Sequence, residues 1–181
     1  MRYVPIEFIE VTDAAQVTTN KNKTVVIRGS YKFTARGKAD VIAKDYSDVR
    51  AYDRARVAAS DSSTVTARGE SAVTTYDNSN ATAWGASTVV SWNSSTVTAR
   101  DMSYVRAHDS SKVIACDSST VVAHGNSQVT AKGNSRVTAH GDSVQVTIQD
   151  NAEVTYVDIY GEITKIVDAK GVRAPINALQ G

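Results

Sequence analysis

The chain predicts an all-β fold, a single flattened β-solenoid (β-helix) with two octads, 16 residues, per coil, about nine coils and capped ends. Three observations predict it. Val65, Val73, Val89, Val97, Val105, Val113, Val121, Val129 and Val137 recur on one eight-residue clock. That clock holds without a gap from residue 9 to 144, which is 136 residues or 17 octads. Within each octad apolar and polar residues alternate and β-branched Val and Thr abound, a strand pattern and not a helical one.

The octad is clearest in VTARDMSY, VRAHDSSK, VIACDSST, VVAHGNSQ, VTAKGNSR and VTAHGDSV. Position 1 is Val in 14 of 17 octads, with Ile9, Phe33 and Ala81 the exceptions. Position 3 is Ala in 12 of 17, position 5 is Asp, Gly or Asn in 16 of 17, and position 7 is Ser in 12 of 17. Strand alternation sends positions 1 and 3 to one face and 2 and 4 to the other. Val and Ala therefore point in, and Thr and charged residues point out. Position 5 suits a sharp turn, because Gly tolerates positive φ and Asp bonds nearby backbone. Ser at position 7 is small enough to point inward beside that turn, so the core is narrow and the coil flat.

Position 2 sets the number of octads per coil. Even octads carry Thr18, Thr34, Arg50, Thr66, Thr82, Thr98, Ile114 and Thr130, whereas odd octads carry Glu10, Val26, Ile42, Ala58, Thr74, Val90, Arg106, Val122 and Thr138. The three histidines, His108, His124 and His140, are 16 apart. Two octads per coil separates these sets, and three would mix them. At ~4.8 Å per coil the rod is roughly 43 Å long.

The stretches DSSTVTARGESAVTT and GNSQVTAKGNSRVTAHGDS resemble the 16-residue repeat of bacterial ice-nucleation proteins. The likeness covers roughly residues 40–144 and lies in the repeat grammar: a small turn residue, an inward Ser and an outward Thr. It implies the two-sided coil. The regular Gly-Tyr-Gly turn of that family is absent, and Arg, Lys and His stand where its repeat is mostly neutral.

Residues 1–8 hold Tyr3, Val4, Pro5, Ile6 and Phe8 and read as an N-terminal cap, followed by the octad solenoid over 9–144. One residue is inserted near Gln145, and 145–167 read as irregular final coils. Residues 168–181, with Gly171, Pro175, Val172, Ile176 and Leu179, read as a C-terminal cap or tail. Charge is balanced, 20 basic against 19 acidic residues, which disfavours both an acidic DNA mimic and a uniformly basic nucleic-acid coat. Cys116 is the single cysteine and falls at an outward position, which fits a reducing compartment. With no signal-peptide pattern and no membrane-length apolar run, the expected location is cytoplasmic, the host cytoplasm for a virus-encoded chain.

Position 4 holds no acid in the repeat. One edge runs Arg36, Tyr52, Arg68, Trp84, Arg100, Cys116, Lys132, a spacing that stacks guanidinium on aromatic rings. As structure, this is a ladder that stiffens the rod. As function, it is a strip that contacts a phosphate backbone, bases or an acidic protein surface. The other edge runs Tyr76, Trp92, His108, His124, His140. A straight ladder supplies poor tetrahedral geometry, so no metal site and no cofactor are expected. Val26, Ile42, Ala58, Val90 and Val122 form an aliphatic stripe that serves self-association as a homodimer or simply strand formation. The ladder Thr18, Thr34, Thr66, Thr82, Thr98, Thr130 is the geometry of an ice-binding face, and Thr also supports sheets by cross-strand packing.

Catalysis has little support. Asp101, Asp109 and Asp117 are turn residues by position, and no phosphate-binding Gly loop or Cys/His metal spacing is present. The expected function is a non-enzymatic interaction protein with a protein or nucleoprotein partner, no membrane, and direct nucleic-acid binding left open. A decoy or inhibitor of a host nucleic-acid-binding complex, made by a phage or other mobile element, fits that class. The alternatives are ice binding through the Thr ladder, and a phage structural protein or glycan-binding adhesin using Tyr76, Trp84 and Trp92.

Overall fold

Strands of four residues such as Thr64–Ala67 (TVTA) and Lys112–Ala115 (KVIA) alternate with turns of four residues along most of the chain. The computed structural model describes residues 7–11 and 23–175, with side chains described over 24–171. The described residues are all β: β1 (Glu7–Val11), β2 (Lys23–Ile27), β3 (Lys32–Ala35), then one strand per octad to β16 (Arg136–His140) and β17 (Gln145–Ile148). The final strands are β18 (Glu153–Val157), β19 (Ile163–Asp168) and β20 (Gly171–Pro175).

From β2 to β18 odd and even strands separate into two sheets. One has eight strands, β3 to β17, and the other has twelve, β1, then β2 to β18 by even number, then β19 and β20. From β2 to β16 in one sheet and from β3 to the strand before β17 in the other, neighbours run parallel at a constant 16-residue offset: Val65 pairs with Ala81, Ala81 with Val97 and Val97 with Val113. Two octads therefore make one coil. From β2 to β18 the even strands step through eight coils, slightly fewer than the nine or so of the octad count, a rise of roughly 38 Å.

The core lies between the sheets and is built as the octad predicts. Val49, Val65, Val89, Val97, Val105 and Val121 are fully buried, as are Ala51, Ala67, Ala83, Ala99 and Ala115. Position-7 serines, from Ser47 to Ser135, are buried at the two corners. Two polar residues at inward position 3 have partners one coil on: Thr75 donates to the Ser95 hydroxyl at 3.0 Å, and Ser91 donates to that of Ser111 at 3.2 Å. The Oγ atoms of Ser71, Ser87, Ser103, Ser119 and Ser135, stacked on one corner, meet no hydrogen-bond partner among the described residues.

Backbone accounting explains the turns. In a typical turn the N–H of Tyr52 donates to Ala35, that of Arg54 to Gly37 and that of Arg56 to Ala39, all one coil back. The Ala55 N–H donates within the turn to Tyr52. Only the position-5 N–H is left over, and a buried or crowded donor needs an acceptor. Position 5 takes positive φ on every octad from Gly29 to Gly141, with Asp at φ 54 to 61 and Asn93 at 58. In that conformation the side chain of the following coil reaches back. The Asp45 carboxylate accepts from the Gly29 N–H at 2.8 Å, Asp61 from Asp45 at 3.1 Å, Asp77 from Asp61 at 3.2 Å, and Asn93 Oδ1 from Asp77 at 3.2 Å. The backbone that Asp bonds is not local in sequence: it is the turn of the preceding coil, 16 residues earlier.

The extra residue, expected near Gln145, lies in the turn at 141–144: Val144 fills the inward site that Ser holds elsewhere, and the offset becomes 17, with Val146 against Val129. After β18 the coil stops. β19 pairs antiparallel with β18, and β20 antiparallel with β19, which reverses strand direction at this end. The eight-stranded sheet ends at β17, where Val146 and Ile148 are only half-buried. The turn between β18 and β19 is fixed by Asp158 Oδ1, which accepts from the N–H groups of Tyr160 and Glu162, both at 2.9 Å, and it holds Ile159 and Tyr160 in solvent. Residues 1–6 of the expected N-terminal cap and 176–181 of the expected tail lie outside the described residues, as does Thr18.

Candidate basic and aromatic edges

Position 4 directly follows the four-residue strand, at the corner of the coil. The 16-residue offset then stacks the position-4 side chains one per coil. On the corner leading from the eight-stranded sheet, the Arg36 guanidinium lies 4.8 Å from the Tyr52 ring centroid. Arg68 and Arg100 lie 5.6 and 4.9 Å from the Trp84 ring, one on each side of it. Each such contact contributes about 0.5–1 kcal/mol at an exposed site. Tyr52, Trp84, Arg100, Cys116 and Lys132 are half-buried, whereas Arg36 and Arg68 are exposed. Cys116 is a free thiol in this row.

The opposite corner carries a stack of flat rings. Trp92 and His108 are 4.1 Å apart with planes 9° from parallel, His108 and His124 are 5.0 Å apart at 6°, and His124 and His140 are 4.5 Å apart at 18°. Tyr76 sits one coil before Trp92 and is exposed. Burial lowers the pKa of His108 below 6.5, helped by the nearby Arg106 charge and opposed by Asp109. Burial also lowers that of His124, followed by the charges of His140, His108 and Arg106. Parallel rings present their nitrogens side by side and do not converge. Among the described residues no three His, Cys, Asp or Glu side chains come together as a ligand set.

The two faces carry the other predicted rows. Thr66, Thr82 and Thr98 align on three successive coils, and Arg50 and Ile114 bound them. Thr34 and Thr130 lie beyond those interruptions. The opposite face aligns Val26, Ile42 and Ala58, then Thr74, Val90, Arg106 and Val122. Ala58 and Ala72 leave a shallow hollow of about 350 Å³ there, rimmed by Asp40 and Arg56. Neither face presents an unbroken apolar or Thr surface.

Charge along the rod is uneven, a feature the balanced total hides. From Arg28 to Arg56 eight basic residues face four acidic ones. Two of those acids, Asp45 and Asp53, turn their carboxylates onto the Gly29 and Gly37 N–H groups. From 145 to 175 the balance reverses, five acidic against three basic. No helix among the described residues is long and apolar enough to cross a membrane.

No protein-family model, no curated protein and no solved structure matches the chain, so its functional reading rests on its own residues.

Proposed function

We propose that the chain is a non-enzymatic interaction protein that presents its Arg–aromatic edge and its basic first coils to an acidic macromolecular partner, a protein or nucleoprotein. The observation that carries this reading is the Arg68–Trp84–Arg100 sandwich. It holds two cations and a large ring in fixed register on a rigid corner. Preorganised aromatic and Arg groups dominate binding energy, because little side-chain entropy remains to be lost. The excess of basic residues between 28 and 56 extends the same chemistry toward one end of the rod and favours encounter with a negative surface. The repeated hydroxyl, imidazole and carboxylate groups are ladder members with neighbours of their own kind, which is the opposite of a single catalytic constellation.

The test is affinity purification of the tagged chain from a bacterial lysate, with and without nuclease, read by mass spectrometry. The expected result is one enriched partner that survives nuclease and is lost with Arg68→Ala or Trp84→Ala. Retention of that partner by both variants would remove the edge from the interaction. A blank in both arms, with thermal hysteresis that disappears in Thr66→Lys and Thr98→Lys, would assign the Thr face instead.

A further inference from the structure

Along the Arg–aromatic edge the row of position-5 hydrogen bonds is interrupted over two consecutive coils. Here the Gly37 N–H is met by Asp53 at 2.9 Å, Gly85 by Asp101 at 2.8 Å, Asp101 by Asp117 at 3.2 Å and Gly133 by Asp150 at 3.0 Å. The N–H groups of Asp53 and Gly69 face the turns of Gly69 and Gly85, which have no side chain, and donate to no acceptor among the described residues. A Cβ at Gly69 would lie 3.3 Å from the Asp53 nitrogen, and one at Gly85 would lie 3.4 Å from the Gly69 nitrogen. The absent side chains would therefore stand directly over the two donors, as Asp does on the filled coils. Only here would two successive missing side chains each stand over an open donor: the N–H groups of Asp109 and Gly125 on the other edge also meet no acceptor among the described residues, but the Gly141 turn does not lie over Gly125. Asp117 faces Gly133 on this edge, and Asp109 faces Gly125 on the other, where a Cβ at the next glycine, Gly141, meets nothing within 4 Å.

We propose that this two-coil notch binds carboxylate groups of an acidic protein segment, whose oxygens take the places of the two missing aspartate carboxylates. The proposal rests on the reading of this edge as the partner surface and names the chemistry it captures. Three observations support it. Every filled position of the row holds a carboxylate or carboxamide oxygen at 2.8–3.2 Å, so the geometry is already that of a carboxylate acceptor. The fold accepts such groups on neighbouring coils, since Asp45, Asp61 and Asp77 stand in succession on the other corner. Cations flank the notch on both sides. Arg68 and Arg100 hold the Trp84 side. Lys38 and Arg54 line an open cavity of about 460 Å³ with Gly37, Asp53, Gly69 and Glu70, and Glu70 fixes Arg54 at 2.8 Å. Positive charge around paired backbone N–H groups is the arrangement that favours an oxyanion.

The experiment is an NMR titration of the ¹⁵N-labelled full chain with sodium acetate, with inorganic phosphate, and with sodium chloride at matched ionic strength. Acetate is expected to move the Asp53 and Gly69 amides downfield, saturably, and further than the already bonded amides of Gly37 and Gly85. Chloride is expected to leave them in place. Gly69→Asp with Gly85→Asp fills the notch from within and is expected to abolish the response. Gly85→Asn alone, which repeats the arrangement at Asn93, does so for the Gly69 amide if the double variant does not fold. A saturable response to phosphate alone would overturn the carboxylate assignment in favour of a phosphodiester. Absence of a selective response to either anion would overturn the site itself. If acetate binds while the lysate yields no partner, the partner reading fails and the oxyanion site stands. If the filled variant still captures the partner, the site stands and lies outside the contact.

Discussion

Substitution of Asp101 separates two contributions that the position-5 turn combines. The Asp101 carboxylate accepts the Gly85 N–H at 2.8 Å across the coil boundary, and its backbone sits at φ 54. A hydrogen bond to a charged acceptor contributes about 1.5–3 kcal/mol, and solvent exposure at this corner brings the figure below that range, to ~1 kcal/mol. The left-handed conformation costs an ordinary side chain about 1–2 kcal/mol and costs Asp, Asn or Gly much less. Asp101→Asn keeps both contributions, as Asn93 does with the Asp77 N–H, and is expected to change stability by under about 0.5 kcal/mol. Asp101→Gly removes the bond and keeps the conformation, for a loss of ~1 kcal/mol. Asp101→Ala removes the bond and adds the conformational cost, for a loss of about 2–3 kcal/mol. At about 2–4 °C per kcal/mol for a chain of this size, the Ala variant melts roughly 5–10 °C lower. Urea unfolding followed by Trp84 and Trp92 fluorescence reads all three, since Trp84 is the position-4 residue one coil before Arg100. Equal losses for the Gly and Ala variants would refute the conformational part. A loss in the Asn variant equal to that in the Gly variant would show that carboxylate charge, and not oxygen geometry, holds the turn.

The remaining predictions use the core and the histidine stack. Ser103→Ala is expected to be neutral or slightly stabilising in a thermal melt, because its buried hydroxyl meets no partner among the described residues, whereas Ser79→Ala, which removes a 2.7 Å bond to the Tyr76 carbonyl, is expected to lose ~1 kcal/mol. Ala99→Val is expected to lose about 1–3 kcal/mol in urea unfolding, since Ala99 is fully buried between Ala83 and Ala115 on adjacent coils and the narrow core has no room for two more methyls. For His108 and His124 the folded-state pKa lies below 6.5, so the unfolded chain binds more protons in the window between. Stability is therefore expected to fall as pH drops through 6.5 and to level off below the folded pKa values. His124→Gln is expected to flatten that profile, and melting temperatures that rise on acidification would contradict it.

The architecture was legible because every rule of the octad concerns a local alternation that stacking then repeats. Inward Val and Ala, the corner Ser and the 16-residue coil follow from strand geometry and from the Thr and His spacings. The Arg68–Trp84–Arg100 sandwich was legible for the same reason: residues 16 apart become neighbours. What a sequence reading misses is direction. The Asp side chain has donors in its own turn and in the turn before, and only the count of already committed N–H groups shows which is left over. The notch at Gly69 and Gly85 was invisible for that reason, since Gly and Asp looked equivalent as turn formers. The reversal at β19 was missed because alternation over Val154–Ile166 is the same for parallel and antiparallel pairing. The place of the extra residue depended on Val144 substituting for a corner Ser, which composition does not announce.

The constant 16-residue offset from β2 to β16 has a consequence for how such a rod changes length. Excision of residues 80–95, or duplication of them, rejoins each inward Val to an inward Val or Ala and each corner Ser to a corner Ser. Both ends stay as they were. Length is thus quantised: each such excision or duplication changes the span of the coiled part by one step of about 4.8 Å.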